Sequence, residues 1–166
     1  MIDHFTRFAA YNRWANQRLY DAAAQLSADE YVKDCGVAFN SMHGTLNHIL
    51  LGDKVWMGRF QQQEFSVDRL DAVLHEDFAS LSAARAQMDQ QIIDYIATLD
   101  QKTLDGVFTY TPVTTPEPVT LKLSVSLAHL FNHQTHHRGQ AHAILTRLKG
   151  EAPPLDLIYF HLQQAQ

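Results

Sequence analysis

The chain has little that would support a disulfide, a membrane span or a nucleic-acid-binding surface. Its 166 residues include one cysteine, Cys35, which excludes an internal disulfide and a thiolate metal cluster. No stretch approaches the roughly 20 uninterrupted apolar residues of a membrane helix. Lys and Arg number 13 against 18 Asp and Glu, a net charge of −5, and no basic cluster is present that would neutralise phosphates. We therefore predict no nucleic-acid partner and no membrane association.

The start of the chain also lacks the pattern of a secretory signal. Residues 1–7 contain no basic segment followed by an apolar run and a small-residue cleavage site. Together with the single cysteine, this predicts a protein of the reducing cytoplasm. The length of 166 residues suits a single domain, 1–166, and a 46% share of hydrophobic residues is enough for a packed core.

Hydrophobic residues recur at three- and four-residue spacing over four long segments, which predicts four long helices. With a short helix at the end, the predicted helices span 3–26, 41–62, 74–99, 124–149 and 155–163. Residues 106–122 place β-prone runs on both sides of three prolines, which predicts a short hairpin or an extended loop. Ser41 and Ser124 are the predicted N-caps of the second and fourth long helices. The pattern indicates an all-α four-helix bundle.

The most unusual feature of the sequence is its ten histidines, four of which fall within nine residues of the last long helix. These four are His129, His133, His136 and His137. His133 and His137 are four residues apart, so their imidazoles project from one helix face. The apolar stripe of this helix passes through both positions, so both rings face the core. Buried imidazoles need polar partners, and a metal ion is one such partner.

A catalytic metal ion is typically held by three protein ligands, with one position left open. His48 is the best third ligand, because it lies in the middle of the second long helix on an inward row with Thr45, Gly52 and Trp56. We therefore predict a divalent metal ion on His48, His133 and His137. The alternative is that these are core or half-exposed histidines bonded to neighbouring side chains, which spacing alone does not exclude.

The segments around these histidines resemble those of the DinB family, in the DinB/YfiT-like metalloenzyme superfamily. The matching segments are YNRWAN at 11–16, SMHGTLNHIL at 41–50 followed by Asp53 and Trp56, and LFNHQTHHRGQ at 130–140. The resemblance covers nearly the whole chain. It implies a four-helix bundle of up-down-down-up topology, often a homodimer. It also implies a nickel or zinc ion on the positions of His48, His133 and His137.

Related families in this superfamily are thiol-dependent, transferring a low-mass thiol to electrophiles or using mycothiol to isomerise maleylpyruvate. The resemblance thus implies a thiol S-transferase that acts on a small-molecule substrate. A metal-dependent hydrolase and a non-catalytic metal-binding stress-response protein are the alternatives. Residues 124–150 contain no Asp or Glu, which disfavours the hydrolases that place a general-base Glu between two helical histidines.

Further residues are predicted to surround the ion and its cleft. His129 and Asn132 are candidates for orienting groups behind the ligands, and Asp53 is a weaker candidate for proton transfer. Aromatic side chains on the first two long helices are candidate cleft walls, although aromatic residues at helical spacing more often belong to a core. These candidate walls are Tyr11, Trp14 and Trp56.

Overall fold

The computed structural model describes residues 1–63, 65–113 and 115–164, and four long helices dominate it. In chain order the elements are α1 (Ile2–Ala23), α2 (Ala28–Val32), α3 (Met42–Phe60), α4 (Phe78–Ala97), α5 (Gln101–Asp105), β1 (Val107–Tyr110), β2 (Val119–Lys122), α6 (Leu123–Lys149) and α7 (Leu157–Gln164). The predicted all-α bundle with a hairpin before its last long helix is confirmed.

Local capping explains where the helices begin and end. Ser41 accepts a hydrogen bond from the Gly44 N–H at 3.1 Å and so caps α3 as predicted. The third long helix begins at Phe78 rather than near residue 74, because the Asp77 carboxylate accepts from the Ser80 N–H at 2.8 Å. The predicted cap at Ser124 is wrong by two residues, since α6 starts directly after β2.

Two short helices, α2 and α5, were not predicted. Ser27 and Glu30 form a reciprocal capping box at the start of α2. Asp100 caps α5 through the Thr103 N–H at 2.7 Å. Each helix is only five residues long, which is too short for a hydrophobic period to reveal.

Helix α1 packs against α4 and α6 and runs antiparallel to α4. The N-terminal amine of Met1 donates to Gln101, just beyond the end of α4, whereas Tyr20 lies against Phe78 at its start. Helix α6 runs parallel to α1, since Phe5 meets Phe131 early in both helices. The order of the facing residues therefore shows that the first and last long helices, α1 and α6, are parallel.

Helix α3 packs against the same two helices, parallel to α4 and antiparallel to α6. Asp53 contacts Arg85, and about two to three turns later Phe60 stacks on Tyr95, so both helices advance together. The facing pairs between α3 and α6 run in opposite directions, His48 with His137 and Trp56 with His129. The bundle therefore has the up-down-down-up topology.

The core fills the space between the four long helices, and its largest fully buried side chains come from all of them. They include Phe5, Leu19, Leu46, Leu50, Leu81, Ile92 and Leu127. Burying such side chains contributes about 1.5–3 kcal/mol each and holds the helices in register. No helix in the described ranges is long and apolar enough to cross a membrane.

The hairpin lies across the end of α3. Strands β1 and β2 pair antiparallel, with Tyr110 opposite Val119. Phe108 and Tyr110, two residues apart on one face of β1, contact Phe60 and Trp56 respectively. The hairpin thereby sets Tyr110 above the last turns of α3, beside the cluster of histidines.

Candidate metal centre

The antiparallel packing of α3 and α6 brings His48, His133 and His137 together. One ring nitrogen from each lies within 4.8 Å of the other two. The ring centroids are 4.3 Å apart for His133 and His137, 4.4 Å for His48 and His137, and 5.2 Å for His48 and His133. In the described part of the chain, no other group of three or more His, Cys, Asp or Glu side chains converges in this way.

Hydrogen bonds fix the tautomers of two of the three imidazoles. His48 donates from Nδ1 to the Leu70 carbonyl at 2.7 Å, and His137 donates from Nδ1 to Gln140 Oε1 at 2.8 Å. Both partners are oxygen acceptors, so each Nδ1 carries the proton and each Nε2 keeps a lone pair. The two Nε2 atoms face each other at 3.2 Å. Two lone pairs at this distance repel each other, and a cation held between them would reverse that interaction.

The third imidazole has a buried nitrogen without a partner. Nδ1 of His133 forms no hydrogen bond with any described residue, and such a group typically costs about 1–3 kcal/mol. Three imidazole nitrogens suit divalent zinc, nickel, copper and iron. The orphaned nitrogen and the opposed lone pairs both fit a bound divalent ion, so these three histidines could hold one.

The electrostatics keep the three rings neutral, as metal ligation requires. Burial lowers the pKa of His133 to about 3, and the neighbouring imidazoles act in the same direction. Burial lowers the pKa of His137 to about 4 against the opposing effect of its hydrogen bond to Gln140. Burial also lowers the pKa of His48. At neutral pH all three imidazoles are therefore uncharged, and each keeps one nitrogen with a free lone pair.

Packing holds these rings in position. The ring of Phe39 stacks on His48 with centroids 3.7 Å apart and meets His137 edge-on at 5.6 Å. The ring of His133 rests on the bare backbone of Gly52, where an added Cβ would lie 2.7 Å from Cε1 of the imidazole. Gly52 therefore leaves the space that the His133 ring occupies.

A cavity of about 320 Å³ opens beside the triad. His48 and His133 line it, together with other residues of α3, the hairpin and the start of α6. The remaining lining residues include Val55, Trp56, Arg59, Tyr110, Pro112 and His129. Among the described residues, no Asp or Glu lines this cavity.

Trp56 lines this cavity as predicted, and His129, predicted as an orienting group behind the ligands, also lies in its wall. The His129 ring is 4.9 Å from Trp56 and 5.9 Å from His133, between centroids. Partial burial lowers the pKa of His129, and the Arg59 cation has the same effect. His129 is therefore a neutral base at the edge of the cavity.

The structure places Asn132 and Asp53 elsewhere. Asn132 is exposed and lies with His4 and Phe5 beside α1, because it projects about 100° around α6 from His133. Asp53 is completely buried and contacts Arg85 at 2.6 Å, so it belongs to the bundle interior rather than to the cavity. The proposed orienting and proton-transfer roles for these two residues have no support in this geometry.

Tyr11 and Trp14 also lie away from the cavity. Both rings pack against Phe160 of α7, with centroids about 6 Å apart. The Tyr11 hydroxyl donates to the Leu155 carbonyl at 2.7 Å. This face of α1 meets α6 and α7. These two aromatic side chains therefore tie the C-terminal helix to the bundle.

Sequence reasoning missed several residues of the site. Gln140 lies three residues after His137, one helical turn away, so its partnership with that ring was detectable. Arg59 lies three residues after Trp56 on the same helix, so its place beside that ring was also detectable. The Leu70 carbonyl and Phe39 had no such signal. Leu70 and Phe39 come from irregular segments, whose backbone path the helical period does not describe.

Comparison with known proteins agrees with this geometry. The family model described as DinB family matches residues 1–165. The chain belongs to the DinB family. It is 28% identical to Protein DinB of Bacillus subtilis (strain 168) over 165 residues, covering 94% of this chain and 92% of that protein.

A solved structure also resembles this DinB-family chain. The crystal structure of the conserved protein of locus from Enterococcus faecalis superposes with a TM-score of 0.70, covering 87% of this chain and 96% of that one. The two sequences are 14% identical, so this likeness shows the fold alone. This DinB-family chain thus combines the bundle with a histidine triad that could hold a metal ion.

Replacing Gly52 with alanine is expected to lower zinc affinity by about 10–100-fold, the range for residues that orient metal ligands. The new Cβ would lie 2.7 Å from Cε1 of His133 and 3.2 Å from its Nδ1, so the ring must move. Isothermal titration calorimetry of the metal-free proteins with zinc measures the change.

Gly139→Ala is the matched control, since nothing lies within 4 Å of the Cβ it adds. Within α6 the change gains up to about 1 kcal/mol of helix propensity. It is expected to leave zinc affinity unaltered. Equal zinc affinity in the Gly52 variant and the native protein would show that this ring is not a ligand.

Proposed function

We propose that this DinB-family chain is a divalent-metal-dependent thiol S-transferase that acts on a small electrophile. The supporting observation is the position of the triad, since two of its three histidines, His48 and His133, line a cavity of about 320 Å³. This volume is at the lower end of the range of small-molecule sites. Three neutral ligands also leave the charge of an ion uncancelled and leave it a free position.

The chemistry divides between the ion and the residues of the chain. A bound divalent ion, which we propose to be nickel or zinc, would lower the pKa of a thiol that binds beside it. His129, neutral at the edge of the cavity, would accept the thiol proton. The sulfur lone pair then forms the bond to the electrophilic carbon, and the leaving group departs with the electron pair of the broken bond. Trp56 and Tyr110 provide apolar walls that limit water at the reacting atoms.

The geometry favours this reaction over the two alternatives. Hydrolases with paired helical histidines place a general-base Glu between them to activate water, and no carboxylate in the described ranges lines the cavity. A purely structural ion would be enclosed by four protein ligands, whereas only three convergent groups occur among the described residues. The homodimer and the cytoplasmic location stay predictions from the sequence.

Cobalt substitution followed by thiol addition tests the proposal. Metal-free protein loaded with Co²⁺ is expected to develop a sulfur-to-cobalt charge-transfer band when 2-mercaptoethanol is added. Low-mass thiols are then screened for transfer to 1-chloro-2,4-dinitrobenzene, which forms a carbon–sulfur bond and releases chloride. His137→Ala is expected to lose the band and the transfer, and His161→Ala, on an exposed residue of α7, to keep both. If no thiol gives either signal in the native protein, the transferase proposal is wrong.

A further inference from the structure

The cavity beside the triad contains a cationic side chain that the thiol chemistry does not use. Arg59, in the last turn of α3, lines this cavity and is half-buried. Its guanidinium carbon lies 4.7 Å from the ring centroid of Trp56 and 4.4 Å from that of Tyr110. Two aromatic faces thus hold the cation in one place.

The guanidinium is only partly satisfied by the protein. It donates one hydrogen bond, from Nη2 to the Thr111 carbonyl at 3.3 Å, although a guanidinium has five N–H donors. In residues 1–63, 65–113 and 115–164, no carboxylate forms an ion pair with it. Burial lowers the pKa of Arg59, which is the effect of removing a cation from water without a counter-ion. An anion entering the cavity would supply that counter-ion.

We propose that this cavity selects small molecules that carry a carboxylate, which Arg59 binds at the end remote from the histidine triad. Arg59 lies seven positions after Gly52, which touches the triad. At 1.5 Å per residue this is about 10 Å along α3. A ligand would therefore have its carboxylate several bonds from the reacting atom.

The inference rests on the proposed function in one respect, the assumption that the ligand's reacting group is a thiol near the triad. The cavity supports carboxylate binding independently of the thiol chemistry. Among its lining residues in the described ranges, the one permanently charged side chain is the cation of Arg59. A guanidinium also binds a planar carboxylate through two parallel hydrogen bonds, a geometry that lysine cannot provide.

The first experiment compares two thiols of equal length on zinc-loaded protein by calorimetry, 6-mercaptohexanoate and 6-mercapto-1-hexanol. The carboxylate is expected to bind at least about tenfold more tightly, as a charge-assisted hydrogen bond implies. Arg59→Met is expected to remove this preference and leave the alcohol's affinity nearly unchanged. Arg59→Lys is expected to retain part of it. Circular dichroism and thermal melting confirm that each variant is folded.

The second experiment needs neither metal nor thiol. Trp56 contacts Arg59. The other tryptophan, Trp14 on α1, packs against Phe160 of α7. In metal-free Trp14→Phe protein, the fluorescence of Trp56 is expected to respond to hexanoate at concentrations where 1-hexanol has no effect. Adding Arg59→Met is expected to abolish the response.

The two experiments separate this inference from the proposed function. If zinc-loaded protein binds neither thiol but hexanoate still binds through Arg59, the thiol chemistry is wrong and the anion site stands. If both thiols bind equally and Arg59→Met changes nothing, the anion site is wrong and the thiol chemistry stands.

Discussion

Arg85→Met is expected to lower the free energy of unfolding by about 3–5 kcal/mol, the usual loss when one partner of a buried ion pair is removed. Arg85 contacts Asp53 at 2.6 Å and Asp89 at 2.9 Å, and all three side chains are at most 3% exposed. Urea unfolding followed by circular dichroism measures the loss.

The size of this effect follows from the charges left behind. Burial raises the pKa of Asp53 even with Arg85 beside it, so its ionised form is already poorly compensated. Asp89 accepts hydrogen bonds from Asn12 and Asn16, at 3.3 and 2.9 Å, which stabilise its charge only in part. Without the guanidinium, both carboxylates must ionise in an apolar interior or take up protons.

The same variant has an expected pH dependence. Without Arg85 the pKa of Asp53 rises further in the folded state, so the folded chain binds more protons than the unfolded chain above the ordinary carboxyl pKa. Stability then falls as the pH rises. The deficit of Arg85→Met is therefore expected to be larger at pH 8 than at pH 5.

Arg69→Met is the matched control. Arg69 and Asp71 also form an ion pair at 2.6 Å, but their side chains are 75% and 50% exposed. Exposed pairs contribute little to stability, so the urea midpoint is expected to stay unchanged. Arg85→Lys, which keeps the charge, is expected to lose less than Arg85→Met and provides a measurement if the methionine variant does not fold. Equal losses at the two arginines would contradict this view of the interior.

Zinc is expected to raise the melting temperature of the native protein by about 10 °C. At a free concentration of about 1,000 times the dissociation constant, a ligand that binds only the folded state adds about 4 kcal/mol. For a chain of this size, 1 kcal/mol corresponds to about 2–4 °C. Differential scanning calorimetry with zinc, and again with excess EDTA, measures the difference.

His137→Ala is expected to abolish this stabilisation, because two ligands seldom hold an ion that three were arranged to bind. His161→Ala removes an exposed histidine from α7 and is expected to show the full zinc response. This readout is independent of any reaction. A His137→Ala protein that still melts about 10 °C higher with zinc would exclude the triad as the metal site.

Helix α6 contributes side chains both to the buried polar network and to the triad. Gln134 is adjacent to His133 on α6, and its side-chain amide donates to the Asp53 carboxylate. Arg138 is adjacent to His137 and donates to Asn12 and, at 3.2 Å, to Asn16. The polar interior therefore fixes the rotation of α6 about its axis. That rotation sets the directions in which the two ligand histidines point.

Much of the fold followed from local rules. The 3.6-residue period located the four long helices, and Ser41 marked the start of one of them. Prolines between β-prone runs located the hairpin. The start of α4 was misplaced because Leu74 continues the apolar pattern, while the Asp77 cap decides where the backbone becomes helical. The family resemblance supplied the topology, which no local pattern specifies.

The sequence by itself determined which histidines could converge, because i and i+4 spacing and an inward row are properties of single helices. Only the tertiary structure decided what surrounds them. The Leu70 carbonyl and the Phe39 ring reach the site from irregular segments, and Tyr110 of the hairpin packs on Arg59. Tertiary packing also placed four of the predicted site residues away from the cavity: Tyr11, Trp14, Asn132 and Asp53. Helix periodicity specifies the face on which a side chain lies, but the packing of helices specifies what that face meets.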